Sequence, residues 1–169
     1  MLYVKAANLT DLEKEWLFVK ELPSEENGFT NEWYQISRDE FANHVLPQMI
    51  AFSEGKNLPV GYVPVTFLFL WDDDQIVGQF RIRHFLCNSL RTGAGHIGYS
   101  IGKAFRGKGY GTDGLRLTLA IAKGIVPENE FYLRVKRDNP ASLRVMLKNG
   151  GRIVAEDSKY IYVRIPIPR

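Results

Sequence analysis

The chain has 169 residues, 45% apolar and 24% charged, with a formal net charge of +3. That length builds the core of a single domain, residues 1–169, and that composition excludes a disordered chain or a fibre. A lone cysteine, Cys87, excludes an internal disulfide and fits a reducing, cytoplasmic home, and no apolar run is long enough to cross a bilayer.

Leu2 to Ala6 reads as a short strand. Thr10 or Asp11 caps a helix to about Glu21, with Leu12, Trp16 and Val19 on one face. "PSEENGFTN", from Pro23, reads as a loop. Ser37 or Asp39 opens a second helix through Phe41, Val45 and Met49, which Pro47 kinks or breaks. After a loop from Gly55 to Pro64, "VTFLFLWDDDQIVGQFRIRHFLC" reads as two strands of a hairpin turning at "DDDQ". Asn88 to Gly95 connects to a strand from His96 to Ile101. A largely apolar helix spans Thr112 to Gly124, a strand Glu130 to Val135, and a helix Pro140 to Lys148, with Pro in its first turn and Asn149-Gly150 at its end. Ile153 to Ala155 and Tyr160 to Ile165 are the last strands. The order describes a mixed α/β domain. Cys87, in an apolar strand, reads as a small buried hydrophobe, and the start of the chain lacks a secretory-signal pattern.

Charge divides unevenly. Residues 1–75 hold 5 Lys+Arg against 13 Asp+Glu, and residues 76–169 hold 17 against 6. The split suggests that one half meets an anionic ligand and the other a cationic one.

The basic half contains "AFRGKGYGTDG", Ala104 to Gly114, which loosely fits three phosphate-binding patterns. Gly102 to Lys108 matches G-x-x-x-x-G-K, but Gly109 stands where a magnesium-binding Ser or Thr is required. Gly109 to Gly114 matches G-x-G-x-x-G, but does not follow directly on a first strand. Arg-x-x-Gly-x-Gly, carried by Arg106, Gly109 and Gly111 between a strand and a helix, fits with nothing missing. Glycines there let free helix-terminal N–H groups press against a pyrophosphate, and Arg106 and Lys108 add charge.

"IGYSIGKAFRGKGYGTDGL" (97–115) with "NPASLRVMLKNGG" (139–151) resembles the GNAT superfamily of acyl-CoA N-acetyltransferases, in the branch related to ribosomal-protein N-terminal acetylases. The resemblance covers residues 65–165, with the first 64 aligned only by element order. It implies an α/β (α+β) fold whose mixed, splayed sheet of six to seven strands is flanked by helices. It also implies acetyl-CoA as co-substrate. Backbone N–H groups from Arg106 through Gly107, Lys108, Gly109, Tyr110 and Gly111 to Thr112 would hold the pyrophosphate. Tyr99, Ser100 and Ile101 would pair with the pantetheine arm, with an N–H near Ser100 or Ile101 on the thioester carbonyl. Asn139 and Ser142 would contact the pantetheine or adenosine end. An amine attacks the thioester directly, with no metal.

Two departures stand out. No carboxylate lies between His96 and Ile101, where many relatives carry a general base, and Met146 stands where many carry a tyrosine acid. His96, His84, Tyr99 and Glu26 remain as catalytic candidates, with Glu25 and Glu32 flanking the same loop and Tyr160 and Tyr162 near the chain's end. Asp72, Asp73 and Asp74 read as solvated hairpin residues. The acidic half predicts a cationic acceptor amine, small or peptidic. A non-catalytic acyl-CoA-binding module, a longer acyl donor and a basic nucleic-acid binder are alternatives. The last lacks a stacking platform, so no specific nucleic acid is expected, nor any membrane; similar proteins are often homodimers.

Overall fold

The computed structural model describes residues 1–169. Four strands, β1 (Leu2–Ala6), β4 (Val65–Asp72), β5 (Gln75–Arg83) and β6 (Ile97–Ile101), form one antiparallel sheet in the order β1-β4-β5-β6. Three more, β7 (Glu130–Lys136), β8 (Arg152–Glu156) and β9 (Tyr160–Pro166), form a second in the order β7-β9-β8. The helices are α1 (Leu12–Glu21), α2 (Arg38–Glu40), α3 (Leu46–Ser53), α4 (Asn88–Arg91), α5 (Tyr110–Ala122) and α6 (Pro140–Lys148).

The two sheets meet at one point and then part. The N–H of His96 donates to the carbonyl of Tyr132 at 2.7 Å, and no ladder follows along β6 and β7. Gly95 makes that contact possible: its φ is +68°, and a Cβ there would drive into the Tyr132 carbonyl oxygen. The Tyr132 N–H is taken by a side chain, His96 Nδ1, at 2.9 Å. An imidazole thus replaces the next strand-to-strand bond and wedges the sheets apart. Beyond the wedge both strands run the same way. Tyr99 on β6 reaches Ser142 beyond β7, and one hairpin touches both Arg106 and Lys136.

Packing follows the alternation of the strands. Leu68, Leu70, Phe80 and Ile82 turn to one side and join Leu115, Phe131, Leu133 and Val163 under α5 and α6. Helix α5 comes close because Gly114 has no side chain; a Cβ would meet Phe80 Cζ at 2.5 Å. Phe67, Phe69 and Trp71 turn to the other side, against Val19, Phe41, Leu46 and Met49 of the helices from the first half. Glu15 is fully buried there. It accepts the Asn8 N–H at 3.0 Å through one oxygen, leaves the other unpartnered, and burial pushes its carboxyl up to about 8.

Several elements refine or correct the sequence reading, and Cys87 lies not in a strand but at the cap of α4, half-buried. "EENGFT" is not open loop: β2 (Glu25–Glu26) and β3 (Phe29–Thr30) form a small hairpin around Asn27 (φ +52°) and Gly28 (φ +84°), the Asn-Gly pair that favours such turns. The expected break before Pro47 is present, made by a π-turn that divides the second helix into the pieces α2 and α3. Pro47 sits in the first turn of α3, where a missing N–H costs little, after the π-turn over Phe41–Val45 in which Leu46 N–H donates to Phe41 O. Helix α5 starts at Tyr110, two residues earlier than its apolar periodicity suggested, with Gly109 as its cap.

Candidate active site

The parted sheets enclose a cleft of about 660 Å³, lined by β6, the loop after it, the starts of α5 and α6, β7, and the β2–β3 hairpin. At one end is the glycine-rich loop. Gly107 (φ +76°) and Gly109 (φ +86°) both need the left-handed region, and nothing lies within 4 Å of a Cβ at either. Consequently the chain turns with its amides bare: none of the six N–H groups from Gly107 to Thr112 donates to a protein acceptor. With the positive end of the α5 dipole behind them they form an anion-binding surface. Gly111 has a different job: its Cβ position lies 3.1 Å from Val145 Cγ2, which brings α5 against α6.

The side chains expected at this end are partly committed elsewhere. Arg106 binds Glu26 bidentately at 2.8 and 2.7 Å, and its Nε donates to the Ile101 carbonyl at 3.0 Å. The Tyr110 hydroxyl donates to Asp72 at 2.6 Å, tying α5 to the end of β4. Asn139 Oδ1 accepts the Ser142 N–H at 3.2 Å as the cap of α6. Lys108 is exposed and does not line the cleft.

Along the middle of the cleft runs the free edge of β6. Gly102 N–H donates to Val77 O at 2.9 Å. Antiparallel alternation therefore turns Ser100 toward Gln79 in β5 and turns the N–H groups of Tyr99 and Ile101 toward the split. Of the two positions expected to polarise a carbonyl, Ile101 is free and Ser100 is spent on the sheet. The Tyr99 ring stacks on Phe80 at 5.2 Å, and its hydroxyl meets Ser142 Oγ at 2.6 Å. Burial pushes its phenol up to about 12, so it keeps its proton at neutral pH.

The histidines stand outside the cleft. His96 is fully buried, and with Nδ1 accepting from Tyr132 its Nε2 must carry the proton that it donates to Glu128 at 3.0 Å. Burial lowers its pKa despite the carboxylate, and both nitrogens are occupied. His84 bonds Thr66 at 2.7 Å, and burial lowers its pKa as well. Neither lines the cleft, and each ring is engaged in a contact of the fold, which is against the expectation of a histidine base. Glu26 does line the cleft, but the Arg106 guanidinium holds its carboxyl below the ordinary range and makes it a poor base.

Opposite the glycine loop, near the wedge, sequence reasoning missed three residues: Arg81, Arg83 and Arg134, all lining the cleft. Burial, then the neighbouring Arg83, pushes Arg81 down to about 10. Burial, then Arg134, lowers Arg83. The period-two spacing in "FRIR" and "YLRVK" was legible, but not that β5 and β7 would flank β6. The acidic half does not line this end. Its carboxylates form ion pairs at the surface, Asp11 with Lys5, Glu13 with Arg38, Asp74 with Lys14, and Glu25 with Lys136. The one carboxylate of that half that lines the cleft, Glu26, is already held by Arg106. No group of three or more His, Cys, Asp or Glu is placed to hold a metal ion, and no helix is long and apolar enough to cross a membrane.

Comparison with known proteins bears on the family and the fold. A family model described as an acetyltransferase (GNAT) domain matches residues 24–152. No curated protein matches the sequence. Among solved structures, ribosomal-protein-S5-alanine acetyltransferase from Vibrio fischeri is 16% identical, with a TM-score of 0.70 over 98% of this chain and 93% of that one. Mycobacterium smegmatis RimJ, in complex with CoA-disulfide, is 18% identical, with a TM-score of 0.70 over 98% and 81%. A chimera of spermidine N-acetyltransferase SpeG from Vibrio cholerae and hSSAT is 16% identical, with a TM-score of 0.63 over 98% and 95%. At these identities the structures speak for the fold, and the family model speaks for descent: the chain belongs to the GNAT acetyltransferase family.

Proposed function

We propose that this protein transfers an acetyl group from acetyl-CoA to a primary amine. The observation that carries the reading is the run of six unpartnered backbone N–H groups, Gly107 to Thr112, at the head of α5. Such a surface fits a diphosphate, and Lys148 and Arg144 line the same cleft and add positive charge. A pantetheine-like chain suits the free edge of β6, where Tyr99 and Ile101 offer backbone groups that no strand takes. The thioester supplies an activated acetyl group when bound. Ile101 N–H, fixed by the sheet before the reaction, can stabilise charge developing on a carbonyl oxygen. The family's tyrosine acid is replaced by buried Met146, which is tolerable because a thiol with pKa near ~8.5 leaves readily as thiolate. The acceptors named for the neighbours, a ribosomal-protein alanine and spermidine, differ in charge, so the fold alone does not select one.

A second reading, a binding module without turnover, draws on the lack of a free carboxylate or histidine in the cleft. Two measurements separate them. Acetyl-CoA should raise the melting temperature, and free thiol should appear in the presence of a suitable amine. A melting shift with no thiol release on any amine supports the binding module. No shift at all overturns both readings.

A further inference from the structure

The wedge end of the cleft holds three guanidinium groups that no carboxylate contacts, with Glu32 acting on Arg81 and Asp157 on Arg134 only through space. Arg81 and Arg83 lie two apart on β5 and share a face, with Arg81 opposite Gly98 of β6. Because Gly98 has no side chain, Arg83 Nη1 comes within 3.9 Å of its Cβ position. Arg134, on β7, alternates with buried Leu133 and Val135 and so stands on the open face across the split. None of the three forms an ion pair, unlike Arg38, Arg106, Arg137 and Arg152. Arg81 donates to the Thr30 carbonyl at 3.1 Å and lies over Phe29 at 4.5 Å, Arg83 donates to the Gly95 carbonyl at 3.3 Å, and Arg134 lies over Tyr160 at 3.9 Å. Arg81 Nε is buried with no partner. The one carboxylate in the cleft, Glu26, is already held by Arg106. Like charges sharing a half-buried site are costly until an anion joins them.

We propose that Arg81, Arg83 and Arg134 form an oxyanion-binding subsite for the acceptor, so that the amine acetylated here is an amino-carboxylate. The inference rests on the acetyl-transfer reading and names its substrate class. The cofactor's phosphates are not the anion meant: Gly98 on β6 stands four residues before Gly102, which follows the strand, roughly 13 Å at strand spacing. Planar guanidinium forks suit a carboxylate's two oxygens. The same cluster disfavours an ammonium ion beside it and so helps the bound amine shed its proton, work that no free side chain in the cleft can do as a base. It also acts against polyamines, whose further ammonium groups would meet like charge.

Thiol release from acetyl-CoA is measured with glycine, L-methionine and L-glutamate, with glycinamide, L-methioninamide and spermidine, and with glucosamine 6-phosphate. The best carboxylate should exceed its amide by about 100-fold in kcat/KM. Arg134→Gln, or Arg83→Met should the first fold poorly, should shrink that ratio below about 10-fold while the acetyl-CoA melting shift stays. Equal or better turnover of amides or spermidine overturns the subsite and leaves acetyl transfer standing. Preference for glucosamine 6-phosphate overturns the carboxylate assignment. If no amine turns over, N-acetyl-L-methionine and N-acetyl-L-glutamate are titrated into the CoA complex. Stabilisation that Arg134→Gln abolishes upholds the subsite although transfer fails, and its absence overturns the subsite too.

Discussion

At the loop end of the cleft the chain presents backbone, a row of amides exposed by glycines whose conformations other residues avoid. At the wedge end it presents side chains, three arginines from two strands, with Arg83 beside a bare Gly98. The first surface is stiff and offers nothing but amide hydrogens to an anion. The second is specific, because each guanidinium can be moved, paired or replaced independently. A transferase that takes one constant donor and a chosen acceptor would divide recognition in this way.

The contrast can be broken most forcefully at Gly109. Gly109→Val forces a β-branched residue into φ +86° and fills the space before the amides. CoA affinity should fall at least ~100-fold by calorimetry while the free protein loses only about 1–2 kcal/mol of stability. If affinity survives, the backbone is not the grip. Arg106 sharpens the point: with its fork already on Glu26, Arg106→Gln should weaken CoA by only about 10-fold or less. Away from both ends, Glu15→Gln should stabilise the fold. Its carboxyl, raised to about 8, stays protonated in the native state while the unfolded chain ionises from 4.5 upward, so stability drains as pH rises through that window. The variant should gain on the order of 2 kcal/mol at pH 8 and little at pH 4, read by urea unfolding. His96 has the opposite sign. Its native pKa lies below 6.5, so stability is full above 6.5 and falls as pH drops beneath it, and His96→Gln should flatten that acid limb in urea titrations. Smallest is Glu26→Gln, which loosens the hold on Arg106 and should raise CoA affinity a few-fold, most visibly at low salt.

The loop end was readable before any coordinates because glycine spacing reports backbone geometry directly. Arg-x-x-Gly-x-Gly before an apolar helix specifies both the left-handed turns and the bare amides. The strand and helix order was readable for the same reason, through periodicity. The wedge end was not. Arg134 lies about fifty residues after Arg81 and Arg83 in sequence, and their meeting depends on two sheets joined by His96 and Tyr132 and splayed beyond them. His96 misled for a related reason: its pKa range suits a base, and only the tertiary contacts with Tyr132 and Glu128 reveal both nitrogens engaged. The charge count did not say where each carboxylate sits: Asp11, Glu13 and Asp74 pair with Lys5, Arg38 and Lys14, and only Glu26 lines the cleft.

The imidazole between the sheets carries one more implication. Where two strands could have zipped together, a ring of fixed size stands in their way, clamped from behind by Glu128. The width of the mouth is thereby a property of the interior, insulated from the surrounding loops. Those loops can change without altering the gauge of the slot between the sheets.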